Sequence, residues 1–413
     1  MQKKSQDHFE FSQTTSDNPL SEVETILVIG QRISTVEAPI RYLNERVSTV
    51  VWIQWTNYWI TNGPPSEIVV FQEGKQVSSR KLLSIIPPQW LVRLLNPITY
   101  LITLVTFIQA TRKLGIKFDL CLGVTQFPGF VGVLLHQMGI VKKTIFLNCD
   151  YFTAKPWSLY SLVIIISNWM VKFATNYCDA AWYVTHRILD KQISVGMIKN
   201  SSILRLIVPE GISNQDIVWS ENYSKTQIVF IGQVGAHQGI QLVVDSMPQV
   251  IKAVPSANFV VIGGGPYEDS LRRLVQERGL EKVINISGYA TRTVVHNLLS
   301  TSAFAVAPYV PDPYSFTYYA LPGKIMLYLS YGLPVIVTNV PPISEEISKK
   351  DAGIVIDYNA DQLAAAIISL LNDPGKLERY RSRATALAHE YDAESIYDKA
   401  FRDTLLRFKT DLD

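Results

Sequence analysis

Cysteine is scarce in this sequence, and a long apolar leader is absent. The 413 residues contain three cysteines, Cys121, Cys149 and Cys178, and no CxxC pair. Three thiols cannot all pair with one another, which excludes a disulfide framework and favours a reducing compartment. The polar residues 1–22 lack the apolar core of a secretory signal, so we predict a flexible leader there and a cytoplasmic location.

Signatures of several enzyme classes are also missing. No HExxH, DxD pair or His/Cys cluster occurs, so we predict a reaction without metal or cofactor. A P-loop needs Ser or Thr after Gly-Lys, but Ile325 follows Lys324. A GxGxxG fingerprint is broken where Glu268 replaces its last glycine. An NAD-dependent oxidoreductase or epimerase is therefore the least favoured of the three functional hypotheses considered for this sequence.

Charge is nearly balanced overall but uneven along the chain. The sequence has 38 Lys and Arg residues against 36 Asp and Glu. Residues 1–210 hold 20 basic and 14 acidic side chains, and residues 211–413 hold 18 and 22. The basic first half indicates either an anionic partner, such as a membrane surface or a phosphorylated substrate, or an ordinary solvated surface. No nucleic-acid partner is predicted, because no basic run with interleaved aromatics occurs.

Two stretches of the chain repeat a rhythm of buried strand followed by helix. The strands predicted in the first are Thr25–Ile29, Thr49–Gln54, Phe118–Leu122, Thr144–Leu147 and Ala180–Val184. Those predicted in the second are Gln227–Ile231, Asn258–Ile262, Val283–Ile286, Ala303–Ala307, Pro334–Val337 and Gly353–Ile356. Their apolar residues are continuous rather than alternating, which indicates parallel sheets covered on both faces. We therefore predict an α/β protein with two doubly wound, Rossmann-like sheets.

Composition suggests where the domains divide. Residues 207–226 mix Pro, Gly, Asn and Asp without periodicity and are predicted to be a linker. This linker separates a first domain at 23–206 from a second at 227–375. Residues 376–413 are predicted to form C-terminal helices.

Two uncharged apolar segments lie in the first domain, at residues 94–108 and 157–170. Both are shorter than the roughly 20 residues that cross a bilayer. Basic residues flank them, and Trp90, Trp157 and Trp169 lie in or beside them, as in a helix at a membrane interface. A buried core helix is the alternative, so contact with the cytoplasmic face of a membrane is an open prediction.

Three glycine-containing turns lie at residues 232–239, 263–266 and 320–324 of the second domain. In open α/β sheets ligands bind beyond the carboxyl ends of the strands, and amides at a helix N-terminus suit a phosphate. Each turn taken alone is equally explained as a tight turn without a ligand. Together, the three favour a shared phosphate-containing ligand.

The segment ALPGKIMLYLSYGLPVI at residues 320–336 resembles the P-x-K-x-x-E-Y-L-A-x-G-x-P-V-I segment of glycosyltransferase family 4. VPEGI, VFIGQVGAHQGI, VVIGGGP and INISGYA are similar to further family segments in the same order. Members of that family are retaining enzymes of the GT-B architecture. The resemblance implies two Rossmann-like domains facing a cleft. It places a nucleotide diphosphate sugar on the second domain and a glycan or lipid-linked acceptor on the first.

The resemblance also implies which residues bind the donor. They are Gly232, Gly235, Gln238, Gly239, Gly263, Gly264, Gly265, Gly288, Tyr289, Ala290, Tyr319, Pro322, Gly323, Lys324 and Leu327. Lys324 is given a catalytic role, neutralising the diphosphate, with a solvated helix-end lysine as the alternative. The sequence departs from the family where Tyr319 and Leu327 replace two glutamates. It departs again where Gln233 and Gln238 replace an arginine and a lysine.

On the first domain, family analogy places acceptor-contacting groups on loops after the strands. The candidates are Asn148 and Asp150, with Gly30 and Arg32 at the end of the first strand. Asp150 is the catalytic candidate, because a carboxylate in a desolvated cleft gains basicity and can orient or deprotonate a hydroxyl. An Asx turn or helix cap is the alternative.

The leading prediction is a retaining, metal-independent glycosyltransferase. It would move a sugar from a nucleotide diphosphate sugar to a hydroxyl of a glycan or lipid-linked acceptor, as in polysaccharide biosynthesis. The missing glutamates motivate the alternative, a catalytically weak or inactive relative that serves as a binding subunit of a glycan-assembly complex.

Overall fold

The computed structural model describes residues 18–31, 34–56, 65–84, 89–154 and 159–410. These residues form two β-sheets with helices packed on them. The strands read from continuous apolar runs are present, with ends that differ by a few residues. The prediction of an α/β protein with two doubly wound sheets is confirmed.

The first sheet has eight described strands. They are β1 (Thr25–Gln31), β2 (Thr49–Trp55), β3 (Glu67–Gln72), β4 (Lys75–Lys81), β5 (Phe118–Val124), β6 (Val141–Asn148), β7 (Ala180–Tyr183) and β8 (Leu204–Ile207). Their order across the sheet is β4-β3-β2-β1-β5-β6-β7-β8. Strand β3 is antiparallel to β2, and β4 is antiparallel to β3; this hairpin was not predicted. Every residue of β4 is exposed, and its polar, basic sequence suits a sheet edge.

Among the described residues up to 206, five helices accompany this sheet. They are α1 (Ser34–Asn44), α2 (Gln89–Lys113), α3 (Gln126–Gln137), α4 (Leu159–Tyr177) and α5 (His186–Ser194). Side chains of α2, α3 and α4 share an apolar core with strands β1, β2 and β5. The two apolar segments predicted as interface or core helices fall largely within α2 and α4.

The second sheet is parallel throughout its described strands. They are β9 (Gln227–Ile231), β10 (Asn258–Ile262), β11 (Ile284–Ile286), β12 (Phe304–Ala307), β13 (Val335–Thr338) and β14 (Gly353–Ile356). The order β11-β10-β9-β12-β13-β14 reverses direction between β9 and β12. This is the order of a dinucleotide-binding sheet, which binds its ligand at the point of reversal.

Eight helices follow the linker. They are α6 (Ile240–Ala253), α7 (Glu268–Glu277), α8 (Arg292–Thr301), α9 (Gly323–Ser330), α10 (Ser344–Lys349), α11 (Ala360–Leu371), α12 (Pro374–Glu390) and α13 (Ala393–Thr410). Helix α12 packs on the second sheet, but α13 returns to the first. The indole Nε1 of Trp182 in β7 donates to Thr404 of α13 at 3.0 Å, and its ring lies 4.9 Å from that of Phe401.

The carboxyl edges of the two sheets face each other across contacts between the domains. The rings of Tyr151 and Tyr319 are 5.0 Å apart, and those of Phe152 and Phe316 are 5.8 Å apart. The hydroxyl of Thr185 donates to the carbonyl oxygen of Tyr319 at 2.5 Å. The loops after β6 and β7 therefore meet the segment that leads into α9.

Candidate functional site

Glycines allow the loops after β9 and β10 to pack closely on one another. A Cβ on Gly263 would overlap the carbonyl oxygen of Gly232, and a Cβ on Gly265 would overlap that of Val234. Gly263 also has a φ of 124°, which residues with a Cβ rarely adopt. Glycine is therefore required at these positions by loop packing itself, independently of any phosphate.

The loops after β9 and β12 meet where the strand order reverses. Gly239 has a φ of 75°, and a Cβ there would overlap the carbonyl oxygen of Pro308, which directly follows β12. A Cβ on Gly235 would lie 2.7 Å from the imidazole of His237. These contacts form the walls of the crevice in which open α/β sheets bind ligands.

Lys324 brings a cation to this crevice. Its Nζ lies 2.6 Å from Oε1 of Gln238 and 4.0 Å from the centre of the Phe230 ring. A Cβ on Gly232 would lie 3.1 Å from the same nitrogen. Burial lowers the pKa of Lys324 to about 7, because an enclosed ammonium group loses its hydration. The ammonium group is therefore enclosed by the turns rather than solvated at a helix end.

Gln238 connects Lys324 to a histidine. Gln238 is 6% exposed, and its Nε2 lies 2.9 Å from Nε2 of His237. Burial and the positive charge of Lys324 lower the pKa of His237 below its ordinary value. At the place where the resemblance implies a second lysine, this chain therefore has an amide that holds Lys324.

Tyr289 lies open beside the glycine turns and is 86% exposed. Its hydroxyl is 3.4 Å from the carbonyl oxygen of Gly264. The preceding Gly288 accepts a hydrogen bond from the amide of Gly263 at 2.8 Å, and Ala290 follows. An exposed ring in this position presents a face on which a nucleotide base can stack.

The segment before α9 faces the first domain. Pro322 directly precedes the helix rather than lying in its first turn, and Gly323 begins it. Tyr319 contacts Tyr151 across the domains, whereas Leu327 packs on the core of the second domain. At the two positions of the family glutamates, the chain therefore has an aromatic contact and a packing residue.

The first domain places unpaired polar groups at the ends of β5 and β6. The side chain of Asn148 is fully buried, and neither its oxygen nor its nitrogen has a hydrogen-bond partner among the described residues. The hydroxyl of Thr125 and Nε2 of Gln126 are also buried without a hydrogen-bond partner among the described residues. Thr125 also has a φ of 75°, a strained backbone for a β-branched residue. Buried polar groups of this kind call for a ligand or water.

Asp150 lies two residues beyond Asn148. Burial and the negative charge of Glu210 raise the pKa of Asp150 to about 6. Glu210 is 7% exposed and accepts a hydrogen bond from Thr35 at 3.1 Å. A carboxylate with a raised pKa at the carboxyl edge of the sheet is suited to accept a proton or a hydrogen bond from a hydroxyl.

One acceptor-binding prediction, Gly30, falls inside a strand. Strand β1 continues through Gln31, so Gly30 lies inside the strand and not in the loop after it. A Cβ on Gly30 would lie 2.7 Å from Val36, so this glycine serves the packing of α1 on the sheet. Arg32 lies outside the described residues.

Sequence reasoning missed Thr125, Gln126 and Glu210. Thr125 directly follows β5 and Gln126 comes next, while Asn148 is the last residue of β6; a polar residue at the carboxyl end of a strand is the signal that could have found the first two. Glu210 lies in the VPEGI segment, which was interpreted as linker alone. Across the part of the chain that the structure describes, no group of three or more His, Cys, Asp or Glu is placed to hold a metal ion.

Comparison with known proteins adds a family match to this geometry. Residues 213–387 match the family model described as "Glycosyl transferases group 1". The match covers less than half of the chain, but it includes the whole second sheet, the glycine turns and Lys324. The resemblance to glycosyltransferases is therefore confirmed at this level, and membership of family 4 stays a prediction.

Curated relatives are more distant. The chain is 21% identical over 262 residues to alpha-D-kanosaminyltransferase of Streptomyces kanamyceticus, covering 60% of this chain and 66% of that protein. It is 27% identical over 165 residues to a GDP-mannose-dependent alpha-(1-6)-phosphatidylinositol monomannoside mannosyltransferase of Mycobacterium tuberculosis, covering 39% and 40%. The chain thus spans less than two thirds of the length of these relatives.

Solved structures share the fold over nearly the whole chain. Sucrose-phosphate synthase from Thermosynechococcus elongatus aligns with a TM-score of 0.71 at 16% identity, covering 94% of this chain and all of the other. HepE of Anabaena in complex with UDP aligns with a TM-score of 0.64 at 14% identity, covering 92% and 99%. The two-domain GT-B architecture implied by the resemblance is therefore confirmed.

Proposed function

We propose that this chain is a retaining glycosyltransferase of the family 4 type, which transfers a sugar from a nucleotide diphosphate sugar to a hydroxyl of a glycan or lipid-linked acceptor. The observation that carries the proposal is the enclosed Lys324, held by Gln238 at the point where the second sheet reverses its strand order. The family match over 213–387 supports it.

Transfer breaks the bond from the anomeric carbon to the diphosphate oxygen and forms one to the acceptor oxygen. Negative charge grows on the departing diphosphate, so a cation fixed beside it stabilises the transition state more than the ground state. Lys324 is that cation in our proposal. Its ammonium, once charged by proton uptake at neutral pH, would face the diphosphate without having to be desolvated during the reaction.

The acceptor hydroxyl would enter from the first domain. Its proton passes to the departing diphosphate, and its oxygen attacks the face that the diphosphate leaves, which keeps the configuration at the anomeric carbon. Asp150 accepts a hydrogen bond from this hydroxyl and orients it. Asn148 and Thr125 bind further hydroxyls of the acceptor, which would satisfy their unpaired polar atoms. The contact between Tyr151 and Tyr319 joins this acceptor site to the donor site.

We further propose that no resident metal or cofactor takes part and that the reaction occurs in the cytoplasm, at its membrane face when the acceptor is lipid-linked. The chain's own cation at the phosphate turns supports the first statement. The basic first half supports the second. The alternative, a binding subunit without activity, gains no support from the relatives, because both are named as transferases.

Incubation with a panel of UDP-, GDP- and TDP-sugars tests the proposal. We expect one nucleotide family to bind and to be turned over, with release of the nucleoside diphosphate. Lys324→Met should weaken binding of that diphosphate about 10- to 100-fold, as expected for a lost charge-assisted hydrogen bond. The matched control is Lys252→Met, at the exposed far end of α6.

Binding without turnover by any sugar in the panel would favour the inactive binding subunit instead. Equal diphosphate affinity in the wild type and Lys324→Met would contradict the role of Lys324. Selective binding of NAD would contradict the whole assignment.

A further inference from the structure

Helix α2 is apolar on its outer side as well as on the side that packs on the first sheet. Along its outer side, Ile98, Leu101 and Val105 are 54%, 60% and 45% exposed. Their spacing of three and four residues places them on one helix face. On the inner side, Thr99 and Thr103 are each only 2% exposed. Packing on the first sheet explains the inner side of α2, where Phe107 is also fully buried, but it does not explain the exposed aliphatic side chains on the outer side.

Helix α4 shows a similar exposed stripe. Leu162, Ile165 and Trp169 are 59%, 57% and 55% exposed and again follow a spacing of three and four residues. The Trp169 ring lies 6.0 Å from that of Phe173, which lies 4.8 Å from that of Tyr177. The exposed side of α4 therefore carries aliphatic side chains followed by a row of aromatic rings.

The two stripes belong to one surface. Helices α2 and α4 contact each other and share the apolar core on the same side of the first sheet. We call the six exposed side chains the outer face: Ile98, Leu101, Val105, Leu162, Ile165 and Trp169. Apolar residues that are clustered rather than scattered mark a surface that is covered by something else.

The charged residues of the two helices are all basic. Neither α2 nor α4 contains an acidic residue. Across residues 75–178 the sequence has eleven Lys and Arg residues and two acidic ones, Asp119 and Asp150. Asp119 is paired with Lys142 at 2.7 Å, and Lys143 is paired at 3.0 Å with Asp179, which directly follows this segment. The basic excess of the first half is therefore concentrated in the segment that carries the outer face.

Basic, apolar and tryptophan side chains on adjacent helices fit the surface of an anionic bilayer. Aliphatic side chains enter the acyl boundary, tryptophan lies at the headgroup level, and lysine and arginine attract anionic headgroups. Within the described residues, no helix has the length and apolar character needed to span a bilayer. The fitting geometry is therefore two helices lying along the surface.

We propose that the outer face docks this chain on an anionic lipid bilayer, with α2 and α4 lying along the membrane surface. Trp157, predicted at the interface, lies outside the described residues, and the proposal does not use it. Docking depends on the outer face and not on the proposed reaction. The docking proposal therefore does not require that the chain transfers sugars.

Co-sedimentation of the full chain with lipid vesicles tests docking. We expect binding to vesicles that contain about one third phosphatidylglycerol, weaker binding to pure phosphatidylcholine, and a loss of binding at high salt. The double variant Leu101→Glu/Ile165→Glu should bind at least about tenfold more weakly. The control is Ile193→Glu/Leu406→Glu, whose positions are 57% and 58% exposed but lie outside the outer face. It should bind like the wild type.

Equal binding by the wild type and the outer-face variant would overturn the proposal, as would absence of binding to anionic vesicles. A dimer that the outer-face variant dissociates in the absence of lipid would also overturn it, because a second copy would then cover the face. Nucleoside diphosphate binding is measured on the same samples. A chain that binds vesicles but no nucleotide contradicts the proposed function and leaves docking intact.

Discussion

Replacing Asp150 by asparagine should make the protein more stable and less active. The pKa of this carboxyl is raised from 3.8 to about 6 by burial and by the negative charge of Glu210. Between these two pH values the folded protein holds more protons than the unfolded chain, so its stability falls as the pH rises. A shift of about two units corresponds to a cost of about 3 kcal/mol above pH 6. Asparagine carries no such cost.

The assay is urea unfolding of the wild type and Asp150→Asn at pH 4 and pH 7. We expect the variant's free energy of unfolding, relative to the wild type, to be about 2 kcal/mol more favourable at pH 7 than at pH 4, where part of the cost is already present. Sugar transfer at pH 7 should fall in the same variant, since the neutral amide oxygen of asparagine is a weaker hydrogen-bond acceptor than a carboxylate. Opposite effects on stability and activity are typical of a group held for function.

Asp119→Asn is the matched control. Burial alone would raise the pKa of Asp119, but hydrogen bonds from Lys142 and Thr25 outweigh it and hold the pKa below its ordinary value. This carboxylate contributes stability above the unfolded pKa that is lost as the pH falls, so its replacement should destabilise the protein more at pH 7 than in acid. If Asp150→Asn behaved like Asp119→Asn, the reasoning on the buried acceptor-side carboxylate would be refuted.

Two other substitutions separate packing from binding in the second domain. Gly263→Ala should lower the free energy of unfolding by at least about 2 kcal/mol, because its Cβ would overlap Gly232. In Gly279→Ala, where φ is 63° and the surroundings are open, the cost should be limited to about 1 kcal/mol of backbone strain. If the two variants lost the same free energy of unfolding in urea, the close contact at Gly263 would be contradicted. Tyr289→Ala should change stability by less than about 0.5 kcal/mol but weaken nucleoside diphosphate binding about 5- to 100-fold through lost stacking. Calorimetry of nucleoside diphosphate binding checks this, with Tyr177→Ala in the first domain as the control. If Tyr289→Ala and Tyr177→Ala bound the diphosphate with equal affinity, Tyr289 would have no stacking role.

The second sheet could be predicted from the sequence because its strands are buried on both faces. Burial forces runs such as IVFI and FVVI to be continuously apolar, and glycines mark where those strands end. The β3–β4 hairpin was missed because β4 is polar and fully exposed, which leaves no apolar signal. The return of α13 to the first sheet depends on contacts between Trp182 and residues more than 200 positions away, which no local pattern records.

The candidate site was only partly accessible to sequence reasoning. The motif around Lys324 indicated a phosphate contact, but its enclosure depends on Gln238 and Phe230, which the fold brings from another loop and strand. The glycine turns were predicted as phosphate contacts. The structure shows that their glycines are needed for the loops to pack closely on one another. Thr125 and Asn148 each directly follow a residue of the pair Val124 and Leu147, which is set by the register of β5 and β6 and which the sequence does not specify.

The most direct test of the account is the proton balance of nucleoside diphosphate binding. A lysine with a pKa of about 7 is mostly uncharged at pH 8, and an added diphosphate should raise its pKa and draw in a proton. Calorimetric titration of UDP and GDP at pH 8, in buffers of different ionisation enthalpy, measures this uptake. We expect uptake of close to one proton by the wild type and none by Lys324→Met. Tight binding without proton uptake in the wild type, or the same uptake in both proteins, would contradict the claim that Lys324 holds the diphosphate.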